Sequence, residues 1–380
     1  MSSTPSETLT QTQRLAGPSE GGSALAAIKV KLDRFLDLAQ AAVETHPWLV
    51  VIAMHEYFRS IYPADPYVGF DERQSPPDRV RCVLDSCIGL LEAGAPVGSY
   101  FAHRADCMAA VLTGRRSADS RRPDEGPTQQ VYGRLWDDFD NENYLTESVE
   151  LLRARLRNSG LEPRMLAGKV VLDLGCGSGR HAMVMAMAGA QLVHGVDLGA
   201  TSLETARSVA SQAGLENIVF RVGDALNLPY DDHTFDFVWC NGVLHHTSDL
   251  HRGINELYRV LKRASQAFLY LYGDGGLFWY SRKRMRPIMQ RIPHEYAMAV
   301  LDIIGIPHNR FIFADSWYVP IEQHTGRAEL ERFLSRVGFC TIRKVIGTRP
   351  TDLDRAVDQG GDDATMMWGD GEHRYLVTRG

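Results

Sequence analysis

Residues 170–179 read Val-Val-Leu-Asp-Leu-Gly-Cys-Gly-Ser-Gly, and they limit the folds open to this chain more than any other stretch. An apolar run bounded by glycines suits a strand buried on both faces of a parallel sheet. The run carries an acid, Asp173, just before Gly175, Gly177 and Gly179, and a helical pattern starts at Arg180. Glycines there let the backbone turn tightly and pass close to a ligand where a Cβ would collide. The helix start behind them presents unpaired N–H groups. Strand, glycine loop and helix together describe a nucleotide-type pocket.

The spacing then separates one nucleotide from another. A dinucleotide fingerprint needs its third glycine one place beyond Gly179, where this chain has Arg180. Asp173 would repel a pyrophosphate but could hold an amino group. The zwitterionic methionine end of S-adenosylmethionine fits such a site better than NAD does. A second apolar strand at Gln191–Val196 ends on Asp197. That is ~20 residues past the loop, where a carboxylate binds ribose hydroxyls in folds of this kind. A third strand at Asn217–Val222 leads into Gly223-Asp224-Ala225, and a fourth at Phe235–Cys240 leads into Asn241-Gly242-Val243-Leu244-His245-His246. Helix patterns at 180–189, 201–213 and 251–261 alternate with these strands, which predicts a doubly wound α/β sheet.

This run resembles the class I S-adenosylmethionine-dependent methyltransferases, and most of all the ubiquinone/menaquinone C-methyltransferase-like branch. The likeness is continuous over 169–272 and looser over 326–380. It implies a seven-stranded Rossmann-like sheet and S-adenosylmethionine as cofactor. It also implies roles for single residues. Asp173 would lie near the cofactor's amino group, with Gly175, Cys176, Gly177 and Gly179 around its methionine and ribose. Asp197 would accept from the ribose hydroxyls while Leu198 packs on the adenine. Asp224 would take the adenine amino group beside the Ala225 backbone, and Asn241 would close the cavity. Asp224 and Asn241 also suit plain turn positions.

At 380 residues with 44% hydrophobic content, the chain can bury a substantial core and exceeds one average domain. A net charge of −6 gives no electrostatic case for nucleic acid. The six cysteines lack metal-ligand spacing, and His245, His246, Asp231, Asp232 and His233 form no metal-binding pattern, so no metal is expected. Cys176 and Cys240 fall in cofactor-site segments, which favours a reducing, cytoplasmic setting. No apolar stretch approaches the ~20 residues of a membrane span.

Residues 1–23 read as a disordered tail, and 24–113 as a helical accessory domain with patterns at 24–45, 48–62, 80–91 and 99–113. That region shapes the acceptor site or makes a homodimer; sequence does not separate the two. A Pro/Ser/Gly-rich linker at 114–128 precedes the methyltransferase domain proper, 129–380. At its start Tyr132 and Trp136 share a helix face and could cover the cofactor's sulfonium, or simply pack. Between the fifth strand, Gln266–Tyr272, and a helix at 326–336 lies an insertion, 273–325, far longer than a usual connection. It carries the acceptor-site candidates Trp279, Arg282, Trp317, Tyr318 and His324. Its arginines could pair an acceptor carboxylate or phosphate, or merely face solvent. Acids between 352 and 372 read as an exposed loop before a last strand, Arg374–Thr378.

The expected reaction is methyl transfer to a small, partly apolar organic acceptor, an anionic one included. Its nucleophile is open among O, N, S and C. Where the nucleophile must lose a proton, His245 and His246 are the best-placed bases, since imidazole titrates near neutral pH. The rival readings are a protein or tRNA methyltransferase, for which a basic stripe is missing, and a non-catalytic S-adenosylmethionine-binding protein.

Overall fold

A computed structural model describes residues 20–64, 74–94, 102–110, 144–305 and 310–380 of the chain. Tyr132, Trp136 and the linker at 114–128 lie outside the described residues. The alternating pattern folds as expected into one sheet of seven strands. These are β1 (Val170–Leu174), β2 (Leu192–Asp197), β3 (Ile218–Val222), β4 (Phe235–Asn241), β5 (Leu261–Tyr272), β6 (Phe339–Lys344) and β7 (Glu372–Arg379). Their order is β3-β2-β1-β4-β5-β7-β6. The first five run parallel, and β7 enters antiparallel between β5 and β6. The chain reverses direction across the sheet between β1–β2 and β1–β4. That switch point is where doubly wound sheets bind ligands, beyond the carboxyl ends of their strands.

Two apolar cores sandwich the sheet. On one face Trp239 of β4 stacks on Phe268 of β5 with ring centroids 4.2 Å apart, and the helix Arg180–Met187 packs over β1 and β2. On the other, Leu172, Val238 and Leu269 meet the helix Leu250–Val260, whose start is capped by the Asp249 carboxylate accepting from the Arg252 N–H at 2.9 Å. The central strands β1 and β4 are therefore almost wholly buried, as strands covered on both sides must be, whereas the edge strands β3 and β6 are partly exposed.

A third core lies above the carboxyl ends of the strands. The insertion forms three helices, Gly276–Met289, His294–Ile303 and Arg310–Tyr318. The N-terminal region forms helices Glu20–Ala42, Pro47–Ile61 and Pro76–Ala93, with 102–110 also helical. Pro residues open the second and third of these, and Ser75 caps the third by accepting from the Asp78 N–H. The four N-terminal helices do not bury a core of their own. Phe35, Tyr57, Phe58 and Leu84 share one continuous apolar cluster with Trp279, Met289, Phe313 and Trp317 of the insertion. Each set alone presents one apolar face, and each covers the other's.

The segment between β6 and β7 departs from the expected exposed loop. It forms helices Leu353–Gln359 and Asp362–Trp368, and Asp352 and Asp354 are buried. The reason is Arg374 at the start of β7, itself 1% exposed, which pairs with Asp352 at 3.0 Å, Glu372 at 2.8 Å and Asp354. The acids turn inward to meet a buried guanidinium.

Candidate active site

The strand ends and the third core enclose a cavity of about 490 Å³. Its first half is built by the glycine loop. After β1 the N–H groups of Gly175 and Cys176 donate to the Val196 carbonyl at 2.7 and 3.0 Å, which ties the loop to β2. Gly175 has φ +70°, and a Cβ there would fall 2.3 Å from a Val243 methyl carbon. Gly179 has φ +83° and initiates the helix Arg180–Met187; a Cβ there would meet the Phe220 ring at 2.7 Å. Both positions demand glycine twice over, by conformation and by space.

Asp197, at the end of β2, accepts from the Gly177 N–H through Oδ2 and from the Gly199 N–H through Oδ1, each at 2.8 Å. The carboxylate thus holds the loop and stands on the cavity wall with Gly175, Gly177 and Leu198, the last 44% exposed. Ala225 and Asn241 also reach the wall. Asn241 accepts from Arg155, whose guanidinium is pulled down to about 10 by burial and by the like charge of Arg374.

Four expected cofactor residues, Asp173, Cys176, Gly179 and Asp224, do not line the cavity. Asp173 is 2% exposed beneath the loop, with Oδ2 lacking a hydrogen-bond partner among the described residues. Burial pushes its carboxyl up to about 8. Cys176 points at β2, where its sulfur would touch a Cβ on Gly195. Asp224 closes its own turn, accepting from the Leu226 N–H at 2.8 Å. A zwitterionic nucleoside fits this cradle. Glycines leave room for its chain, Asp197 offers carboxylate oxygens to ribose, and Leu198 and Ala225 offer an apolar slot for a base.

The second half is aromatic. His245 and His246 follow β4 on a short 3₁₀ turn, Leu244–His246, and both line the cavity. His245 stacks on Tyr272 at 3.7 Å between centroids, and its Nδ1 has no partner among the described residues. His246 places Nδ1 2.9 Å from the Ile321 carbonyl oxygen and Nε2 3.7 Å from Asp315 Oδ1. Burial holds both imidazoles below their ordinary pKa, while the Asp315 charge partly offsets this for His246.

Of the acceptor candidates, Trp279 and Arg282 line the cavity. Trp317, Tyr318 and His324 do not. Trp317 is 1% exposed and packs edge-on against Phe58, so it belongs to the core. Tyr318 packs edge-on against His294. His324 bridges Glu322 at 2.8 Å and the Gly273 carbonyl at 3.0 Å. Arg282 is no solvated side chain: it is 4% exposed and bonded to Glu322 at 2.7 Å.

Sequence reasoning missed Tyr62, Tyr270, Tyr272, Asp315 and the Arg374 cluster, all on the cavity wall or its margin. The two tyrosines carried a signal. They stand two apart at the end of β5, so they point to one face. An arginine inside an otherwise apolar last strand was a second. Tyr62 and Asp315 carried none, because their elements are remote in sequence.

A methyltransferase domain family matches residues 171–264. The 27-O-demethylrifamycin SV methyltransferase of Amycolatopsis mediterranei is 38% identical over 135 residues, 35% of this chain and 48% of that protein. The 2-phytyl-1,4-naphtoquinone methyltransferase of Nostoc punctiforme is 31% identical, over 37% of this chain and 60% of its own length. The tRNA U34 carboxymethyltransferase of Marinobacter nauticus is 30% identical, over 51% of each. The chain spans about half the length or less of the first curated relatives it matches. The matched segment runs from β1 through the glycine loop and Asp197 into β5, so this part of the chain is similar to methyltransferase domains.

Proposed function

We propose that this chain transfers a methyl group from S-adenosylmethionine to a small organic acceptor. The observation that carries this reading is the continuity of the cavity. The glycine loop and Asp197 line one half, the aromatic residues line the other, and His245 and His246 lie between them. Bound there, S-adenosylmethionine supplies a methyl group already activated by its sulfonium. The chain's work is then alignment of the nucleophile and exclusion of water.

Asp197, Gly175 and Gly177 hold the cofactor, and Leu198 and Ala225 flank its base. Trp279 and Tyr272 wall the acceptor. His246 serves as the base where the acceptor must lose a proton. Its two nitrogens face a carbonyl and a carboxylate, both of which stabilise the imidazolium formed when Nε2 takes the proton. His245, stacked flat on Tyr272, is the lesser candidate. A cytoplasmic setting suits the unpaired thiols of Cys176 and Cys240 beside the cofactor site.

The test is to incubate purified protein and trideuteromethyl-labelled S-adenosylmethionine with a fractionated extract of the source cells. A three-deuterium methyl shift among small molecules is the expected outcome. Label only in protein or tRNA would replace the reading with a macromolecular one. Cofactor binding with no labelled product would replace it with a sensor.

A further inference from the structure

The acceptor half of the cavity is closed on one side by a residue from the N-terminal helices. Tyr62 caps the helix Pro47–Ile61 and lines the cavity. Its ring is set edge-on against Phe278, 5.2 Å between centroids, and against Phe58 at 4.9 Å. Two buried donors fix the backbone that carries it. Arg79 donates to the carbonyls of Ser60 at 2.9 Å and of Tyr62 at 2.6 Å. Trp368, just before β7, donates through Nε1 to the Ile61 carbonyl at 2.8 Å. The end of an N-terminal helix is thereby held against the helix Asp362–Trp368 that precedes β7.

The charges nearest Tyr272 and Trp279 pair with one another, while Arg155, Arg349 and Arg374 stand elsewhere on the cavity wall. Arg282 and Arg286 both bond to Glu322, at 2.7 and 2.9 Å. Asp315 accepts from the Tyr272 hydroxyl at 2.7 Å and faces Arg282 at 3.7 Å. Two guanidinium groups thus meet two carboxylates. The π faces are taken as well: the Arg282 guanidinium lies 4.8 Å from the Tyr272 centroid and 5.8 Å from that of Trp279. An anionic acceptor would find Arg282 already paired and Asp315 opposing it. A cationic one would find the rings occupied by Arg282. A charge left uncompensated in such a space is costly, whereas an uncharged ring gains from contact with aromatic walls.

We propose that the N-terminal helices are part of the acceptor site, with Tyr62, Phe278, Trp279 and Tyr272 selecting a planar acceptor that bears no formal charge. This rests on the methyltransferase reading above and names its substrate class. It also replaces the anionic acceptor that the arginines suggested from sequence.

The test uses the full chain loaded with S-adenosylhomocysteine and three probes of one shape: naphthol, naphthoate and naphthylmethylammonium. Titration calorimetry should show naphthol binding about 10-fold tighter than either charged probe. Tyr62→Ala should weaken naphthol by about 10-fold, Tyr62→Phe by no more than about 2-fold, and neither should move S-adenosylhomocysteine affinity. Ile312→Trp, which fills the chamber from the insertion side, should abolish naphthol binding and keep S-adenosylhomocysteine binding, so the proposal does not hang on one variant. Tighter binding of a charged probe, or equal binding of all three, overturns it. So does a Tyr62→Ala protein that binds naphthol like the parent. Failure of the parent to bind S-adenosylhomocysteine at all would overturn the methyltransferase reading and this one together.

Discussion

Asp197 does two things at once, and its substitution removes both. It accepts from two loop N–H groups and faces the cavity, so Asp197→Ala removes the proposed ribose contact and loosens Gly177 together. Hydrogen bonds to a charged group are worth about 1.5–3 kcal/mol, so S-adenosylhomocysteine affinity should fall by roughly 10- to 100-fold in calorimetry. Unchanged affinity would remove Asp197 from the site. The histidines predict the opposite pattern. His246→Ala should leave that affinity intact and slow methyl transfer by roughly 10²–10⁴-fold, with His245→Ala milder. Burial lowers both imidazole pKa values, so the neutral, proton-accepting form persists below the ordinary value. The rate should therefore hold through pH 6.5 or so and fall only at lower pH. The same depression has a stability consequence. As pH drops below about 6.5 the unfolded chain takes up protons that the folded one refuses, so urea midpoints should decline in that direction and recover above it. Asp197 was legible because its partners are close in sequence. The preference for His246 over His245 was not, because it depends on Ile321 and Asp315 arriving from the insertion.

At the level of elements, β7 and the two helices before it behave as one locked unit. Arg374 joins Asp352, Asp354 and Glu372, while Glu372 accepts from the Tyr270 hydroxyl at 2.7 Å. Removing a buried partner leaves charges unpaired, so Arg374→Met should cost about 3–5 kcal/mol in chemical denaturation. A loss under about 1 kcal/mol would mean that the acids protonate or reach water at little cost. Chain composition alone made these acids look solvated, since acidic clusters beside glycines usually are. Only antiparallel pairing of β7 with β5 brings Arg374 to them. The glycine loop is the contrasting case. Gly175→Ala should abolish cofactor binding, because its φ of +70° and the Val243 contact both exclude a methyl; the sequence pattern already marked that position.

For the whole molecule, the decisive fact is the shared third core. Deleting residues 1–94 would strip Phe35, Tyr57, Phe58 and Leu84 from Trp279, Phe313 and Trp317. Large apolar areas exposed in this way drive association. Size-exclusion chromatography of that truncation should show aggregate in place of a compact species. A well-behaved truncated protein would instead mark the helices as a separable domain. The insertion and the N-terminal helices thus act as a joint cover over the strand ends, and the cavity exists because both are present.

The sequence by itself determined the sheet, the glycine loop and the place of Asp197 at the end of the second strand. Those depend on periodicity and on contacts between successive elements, which local pattern encodes. Tertiary structure alone decided which aromatic residues wall the cavity and which are core. Trp279 and Trp317 are alike in sequence setting, yet one faces the cavity and the other packs on Phe58. The direction of each side chain follows from how helices remote in sequence pack against one another, and no window of residues carries that information.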